Sequence, residues 1–372
     1  MKIGLIINPI AGMGGKVGLK GTDGKAVVAQ AIRLGATRES AKRAEQALLP
    51  LKFLTKHFSI ITCSGEMGED SCKKIGLTPD IINAPSTNTT RVDTVKAVNK
   101  LVEERVSLIL FAGGDGTACD VLTAIPDQTP ILGIPAGVKM HSAVFGTSPS
   151  AVGALVSRII KDGFTQFPVR PAEVMDLDES LRRHDRIRTK LIGYANIPSD
   201  RFLTQNPKSY ATPNDDRSIE GISEYLEERL DSATTYIVGP GRTTQKFMER
   251  IGVSGTLLGI DVLRGRELVG RDVNHQRLKE LSKNGPLCIV AGIIGGQGFL
   301  FGRGNQQITA DIIRRVRKKN ILVVASSAKI FSLNRQCLLV DTGDATLDSE
   351  LTGYIKVRTD KYRTFVVQIK AA

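Results

Sequence analysis

Residues 108–121 read LILFAGGDGTACDV, an apolar run followed by three glycines in four positions around Asp115. A strand that ends in Gly113 and Gly114 and hands over to a helix near Thr117 points free N–H groups outward, which makes a good anion site. A carboxylate that merely faced a phosphate there would repel it, so Asp115 needs a task. It can hold Mg²⁺ that bridges phosphates. It can accept the proton of a hydroxyl that attacks a phosphoryl group. Or it can cap the following helix, with no chemistry at all.

A second loop, NPIAGMGGK at 8–16, follows an apolar run at 2–8. It should open at the same carboxyl edge of a parallel sheet, where open α/β sheets bind ligands. It is not a Walker A loop: Ile10 stands where the first glycine belongs, and Val17 where Ser or Thr belongs. It does not fit the dinucleotide spacing GxGxxG either, and an ordinary strand-to-helix turn is the plain alternative. A third loop, IPAGVKMHS at 134–142, again ends a strand. Gly137 permits close approach, Lys139 supplies a mobile positive charge near phosphates, and His141 has a hydrogen bond to offer.

Two further loops lie beyond residue 230. GPGRTTQ at 239–245 carries Gly239, Gly241, Arg242, Thr243 and Thr244, which suit a phosphate or a capped turn. Residues 295–307 combine the flexible backbone of Gly296 and Gly298 with the donors and acceptors of Gln297, Arg303 and Asn305. That polarity reads as a ligand loop. Asp341-Thr342-Gly343-Asp344 could add a metal or hydroxyl contact, but reads first as a plain turn.

The elements that must position these loops follow from periodicity. Compact apolar runs at 2–8, 58–63, 80–83, 107–112 and 130–135 predict buried parallel strands. Helical spacing at 39–49, with Ser40 as a candidate cap, and at 92–104 and 117–125 predicts helices between them. Alternating strands and helices imply a parallel sheet covered on both faces. After about residue 165 the texture changes to strands at 191–197, 236–238, 256–262, 287–294 and 354–357 with few long helices between. TADIIRRVRKK at 309–319 is the exception, with a threonine cap and a basic last turn. Residues 206–219 are polar and read as an exposed loop. The predicted organisation is an α/β domain over 1–165 and a β-rich domain over 166–372, whose C-terminal segment either stays there or returns to the first domain.

The chain has 372 residues and a formal net charge of +13, which favours anionic partners: nucleotide, polyphosphate, nucleic acid or a membrane surface. No nucleic-acid reader motif is visible, and the arginines from 182 to 188 read as a solvated face. Five cysteines without CxxC spacing read as reduced thiols of a cytoplasmic protein. Four scattered histidines make no zinc motif. No signal peptide is visible. The uncharged stretch 285–302 holds six glycines, so strand–loop–strand is expected there rather than a membrane helix.

Gly113-Gly114-Asp115-Gly116-Thr117 resembles the GGDGT signature of the superfamily of NAD kinases, diacylglycerol kinases and sphingosine kinases. Asn8-Pro9-Ile10-Ala11-Gly12 resembles its NPxSG-type element, and Pro135-Ala136-Gly137 begins like its third loop. Over nearly its full length the chain is similar to the prokaryotic ATP-NAD kinase-like family. The resemblance implies a two-domain kinase, α/β then mostly β, with the active site in the cleft between them. It makes Asp115 the general base at the ribose 2′-hydroxyl of NAD. Gly113, Gly114, Gly116 and Thr117 would line nucleotide and phosphate, with Asn8, Pro9, Gly12, Gly137 and Lys139 beside them. It implies ATP or polyphosphate as donor, Mg²⁺ or another divalent metal, NAD as acceptor and a homo-oligomer. Ala118-Cys119 stands where many NAD kinases have a histidine or arginine, and the Asn-Asp pair that grips adenosine has no clear counterpart. A lipid, sphingoid base or small metabolite as acceptor, and a non-catalytic nucleotide sensor, are the competing readings. With 5% aromatics and no tryptophan, no membrane-interface signature is present.

Overall fold

The computed structural model describes residues 1–19, 24–82, 89–126, 129–137, 140–163, 167–177, 189–200, 203–204, 213–295, 298–333 and 336–372. Lys139, Gly296, Gln297 and the basic stretch 182–188 lie outside these. The chain forms two compact units. One holds Met1–Gly14, Gly21–Arg182 and Ile187–Pro207; the other holds Gly15–Lys20, Arg183–Arg186 and Lys208–Ala372.

The first unit runs β1 (Lys2–Ile7), α1 (Lys25–Arg33), α2 (Ser40–Leu48), β2 (Ser59–Cys63), α3 (Glu69–Lys74), β3 (Asp80–Ile82), α4 (Arg91–Glu103), β4 (Leu108–Gly113), α5 (Asp115–Ala124), β5 (Ile131–Pro135), α6 (Pro149–Asp162), β6 (Val169–Leu177) and β7 (Thr189–Pro198). Five parallel strands lie in the order β3-β2-β1-β4-β5. Alternate residues of each strand feed opposite faces. Ile3, Leu5, Leu108 and Leu110 join Leu48 of α2 and Val152 and Leu155 of α6 on one face. Ile6, Ile109 and Phe111 join Val98 and Leu101 of α4 and Val121 of α5 on the other. Such fully buried side chains contribute roughly 1.5–3 kcal/mol each, which is why these strands read as unbroken apolar runs. The antiparallel hairpin β6–β7 adds Val174 and Ile197 to the second face. Ser40 is not the cap of α2; it is the first helical residue and is buried, and Glu39 occupies the cap position.

The second unit runs α7 (Pro213–Glu227), β8 (Thr235–Val238), α8 (Arg242–Arg250), β9 (Asp261–Arg264), β10 (Glu267–Gly270), α9 (His275–Leu281), β11 (Leu287–Gly292), β12 (Phe299–Phe301), α10 (Ala310–Val316), β13 (Ile321–Val324), α11 (Ser327–Phe331), β14 (Cys337–Val340), α12 (Ala345–Leu351), β15 (Gly353–Arg358) and β16 (Thr364–Ala371). It is strand-rich, as expected. One nine-stranded mixed sheet carries it, ordered β10-β9-β8-β11-β13-β15-β16-β14-β12.

Three local expectations are corrected. Of the loop expected over 206–219, residues 206–212 lie outside the described residues and the remainder is helical, within α7 (Pro213–Glu227). Ile222 and Leu226 of α7 pack on Phe247 and Met248 of α8, while Arg250 pairs with Glu220, Glu224 and Glu227. Only tertiary partners reveal that face as helical. The strand expected over 256–262 begins at Asp261, because the Asp261 carboxylate folds the preceding loop onto itself by accepting from Thr256 N at 2.6 Å. The helix expected over 309–319 ends at Val316, and its Thr309 hydroxyl bonds to the side chains of His275 and Asp311 rather than capping it. Among the described residues no helix is long and apolar enough to cross a membrane.

Candidate active site

In the first unit β1 and β4 are parallel neighbours. The chain leaves β1 toward β2 on one side and returns at β4 on the other. Connections that diverge this way open a crevice at the carboxyl ends of the two strands. The loops after β1 and β4 flank it, and the loop after β5 stands next to them.

These three loops touch backbone to backbone. Asn8 N donates to Ala112 O at 3.0 Å, and Asn8 Nδ2 donates to Thr117 Oγ1 at 2.9 Å. Asn8 Oδ1 accepts from Ile10 N at 3.3 Å, which closes the turn over Pro9. Gly12 has φ +78°, and a Cβ built on it would lie 1.9 Å from Ala136 O. Ala136 N and Gly137 N both donate to Gly113 O, at 3.0 and 3.1 Å. A Cβ on Gly137 would sit 2.8 Å from Gly114 Cα, and one on Gly113 would strike the Thr117 side chain. Much of the glycine content of the motifs is therefore spent on letting the loops approach one another. The first turn of α5, which includes the exposed Gly116, keeps N–H groups that a helix does not pair internally. Those are the donors left for an anion.

Asp115 is the first residue of α5, whose cap position is held by Gly114, and its side chain makes no capping bond. Capping is thus removed from its possible tasks. The carboxylate reaches across to the third loop: Oδ2 accepts from His141 N at 2.6 Å and Oδ1 from Ser142 N at 2.9 Å. The hydrogen bond that His141 gives Asp115 comes from its backbone N–H. Asp115 is 6% exposed. Burial pushes its carboxyl above the usual aspartate range. The Ser142 side chain and the two backbone N–H groups hold it down, and the charge of Asp176 adds to the rise. Beside it the half-buried Cys119 thiol is pushed up to about 12, by burial first and then by Asp176, Asp115 and Asp120. A carboxylate has about four lone-pair positions, so the two backbone donors and the Ser142 side chain leave room for one more. Such a group can accept a hydroxyl proton, and a raised pKa makes it the stronger base.

In the second unit β8 leads through Gly239-Pro240-Gly241 directly into α8. Gly239 N donates to Val290 O at 2.8 Å and Gly241 N to Leu257 O at 3.0 Å. Thr244 is buried and bonds to Gly241 O at 2.9 Å, while Arg242 pairs with Asp216 of α7. Thr243 is half-buried. In the 298–307 segment Gly298 has φ +81° and packs on Cys337 O, and the Arg303 guanidinium lies 4.4 Å over the Phe299 ring. Asn305 is buried; its amide takes Gly302 N at 3.1 Å and gives to Leu300 O at 2.8 Å. That residue braces the exit from β12, a use of polarity that the sequence did not reveal.

The residues that sequence reasoning did not single out around Asp115 are Ser142, Met175 and Asp176. The last two come from β6, some 60 residues away along the chain, and nothing near GGDGT signals them. Among the described residues no group of three or more His, Cys, Asp or Glu side chains is placed to hold a metal ion.

A family model described as the ATP-NAD kinase N-terminal domain matches residues 3–164. A second, described as the ATP-NAD kinase C-terminal domain, matches residues 232–369. No curated protein matches the chain.

Proposed function

Because the chain belongs to the ATP-NAD kinase family, we propose that it transfers the terminal phosphoryl group of ATP, or of polyphosphate, to the 2′-hydroxyl of NAD, giving NADP. The observation that carries this reading is a single carboxylate, Asp115, beside the β1/β4 switch point and at the start of a helix. In the reaction the 2′-oxygen forms a bond to phosphorus, its proton passes to Asp115, and ADP leaves with the electrons of the broken P–O bond. Mg²⁺ enters with ATP, as part of the substrate, and neutralises phosphate charge. The N–H groups at the start of α5 hold phosphate; within the second unit, the Gly239–Thr244 loop and Arg303 are candidate nucleotide contacts of that unit by itself. Asn8 and Gly12 serve by holding the first loop in place. The enzyme works in the cytoplasm as a homo-oligomer on small nucleotides.

The experiment is incubation of the purified chain with ATP, Mg²⁺ and NAD, scored for NADP. A general base is worth about 10²–10⁴ in rate, so Asp115→Asn should lower kcat by roughly that factor while ATP still binds. Turnover at the wild-type rate in that variant would remove Asp115 from the chemistry.

The same hydrogen bonds support a second reading, in which Asp115 only ties the third loop to α5 and the protein senses nucleotide without turning it over. Binding of ATP with no phosphorylation of NAD, or of a panel of other alcohols, would establish it. Phosphorylation of another alcohol alone would keep the kinase and change the acceptor.

A further inference from the structure

Ser142 is fully buried, and both its backbone and its hydroxyl are engaged. Its N–H donates to Asp115 Oδ1 at 2.9 Å. Its hydroxyl accepts from Met175 N at 2.9 Å and reaches Met175 O at 3.2 Å. One residue on, Ala143 N donates to Glu173 O at 2.7 Å. Residues 142–143 thus run along β6 as a short strand would, with the Ser142 hydroxyl supplying at Met175 the donor and acceptor that a backbone would supply. The hydroxyl has one proton, and both Met175 O and the Asp115 carboxylate are within its reach. His141 N, the other donor to Asp115, belongs to the preceding residue of the same segment. Both N–H groups that grip the carboxylate therefore belong to a segment that the Ser142 hydroxyl, together with Ala143 N, ties to β6.

We infer that Ser142 is a positioning residue for Asp115: its hydroxyl, pinned to the Met175 backbone of β6, aims the two N–H groups that hold the carboxylate where an alcohol can reach it. The inference rests on the reading of Asp115 as general base. A serine suits the place because one small group must both accept and donate in a buried site. Alanine would strand the Met175 N–H and leave its carbonyl only the weak Cys119 Sγ contact at 3.8 Å. The β6–β7 hairpin thereby becomes part of the apparatus around the base, although none of its side chains need touch substrate.

The test is a double-mutant cycle with ATP, Mg²⁺ and NAD as probes, measured on Ser142→Ala, Asp115→Asn and the double variant. Misplacing a reacting group by about an ångström can cost about a hundred-fold, so Ser142→Ala should lower kcat roughly ten- to a hundred-fold. The KM values for ATP and NAD should stay within about two-fold, since an interaction used only in the transition state lowers kcat alone. In the Asp115→Asn background the same change should alter the residual rate by less than about two-fold, because residues that act as a unit are not additive. An equal loss in both backgrounds would overturn the inference, as would unchanged kcat in Ser142→Ala. Should Ser142→Ala fail to fold, Ser142→Cys keeps a weak donor and acceptor at the site in a slightly larger side chain, and it is read by the same criteria. A Ser142→Cys chain that also fails to fold overturns the inference, since the bracket then holds the fold rather than the base. Full turnover in Asp115→Asn is a separate outcome: it refutes the base itself, whatever Ser142 does.

Discussion

At Asp115 two physical effects oppose each other. Removal from water disfavours the charged carboxylate, while the N-terminus of α5 and the two N–H donors from the third loop favour it. Burial prevails, with Asp176 on β6 adding its charge in the same direction. The consequence for a base has a definite sign. The group must be ionised to accept a proton, so kcat/KM should fall as pH drops through its pKa. That fall should be centred above about 3.9, where an unperturbed aspartate titrates. A pH profile of kcat/KM for ATP with NAD saturating measures this. A rate that stays flat down to the ordinary aspartate range would contradict it. The groups facing the carboxylate are the Cys119 thiol on its own helix, Asp176 on β6, and His141 and Ser142 on the third loop. Cys119 stays protonated at neutral pH and adds no charge.

At the scale of elements, the three loops form one object. Gly12 shows why. It is left-handed at φ +78°, and the space where a Cβ would go is filled by Ala136 O. Gly35 is left-handed too, at φ +81°, but has nothing within 4 Å. Gly35→Ala meets only the backbone penalty, about 1–2 kcal/mol. Gly12→Ala meets that penalty and a collision with backbone that cannot rotate away. Its denaturant midpoint should fall further than that of Gly35→Ala, with a loss of activity that Gly35→Ala does not share. Equal midpoints would show that the loop contact is soft. The same scale explains why a helix starts at Pro213 where the polar sequence predicts a loop. The polar face of α7 is held by ion pairs to Arg250 and Lys361, and Tyr225 lies under the Arg358 guanidinium at 3.8 Å. Every one of those partners is distant in sequence.

Across the whole molecule, the five cysteines are free thiols. Burial pushes Cys63 up to about 11 and Cys72 and Cys288 up to about 12, and burial with neighbouring carboxylates does the same for Cys119. The thiolate is the reactive form, so the native chain at pH 7.5 (about one unit below a free thiol's ordinary value) should take up iodoacetamide slowly, and all five sites should label after denaturation. Rapid labelling of Cys119 in the native protein, read by mass spectrometry, would place it in a different environment. The local grammar of this protein is legible in its sequence. Apolar runs ending in Asn-Pro, Gly-Gly-Asp-Gly and Pro-Ala-Gly predict strands that break into loops at one sheet edge, and the strands β1, β4 and β5 end there. Such signals are short-range: a buried strand must be apolar throughout, and a tight turn needs glycine. Packing between distant segments turns Asp115 toward the third loop rather than the cap of its helix, and sets Asn305 and several of the motif glycines to serve the chain itself. It alone brought Ser142 to Met175. Those outcomes depend on which backbone groups from distant segments are left without partners once the sheet has closed, and no window of sequence contains both halves of such a pair.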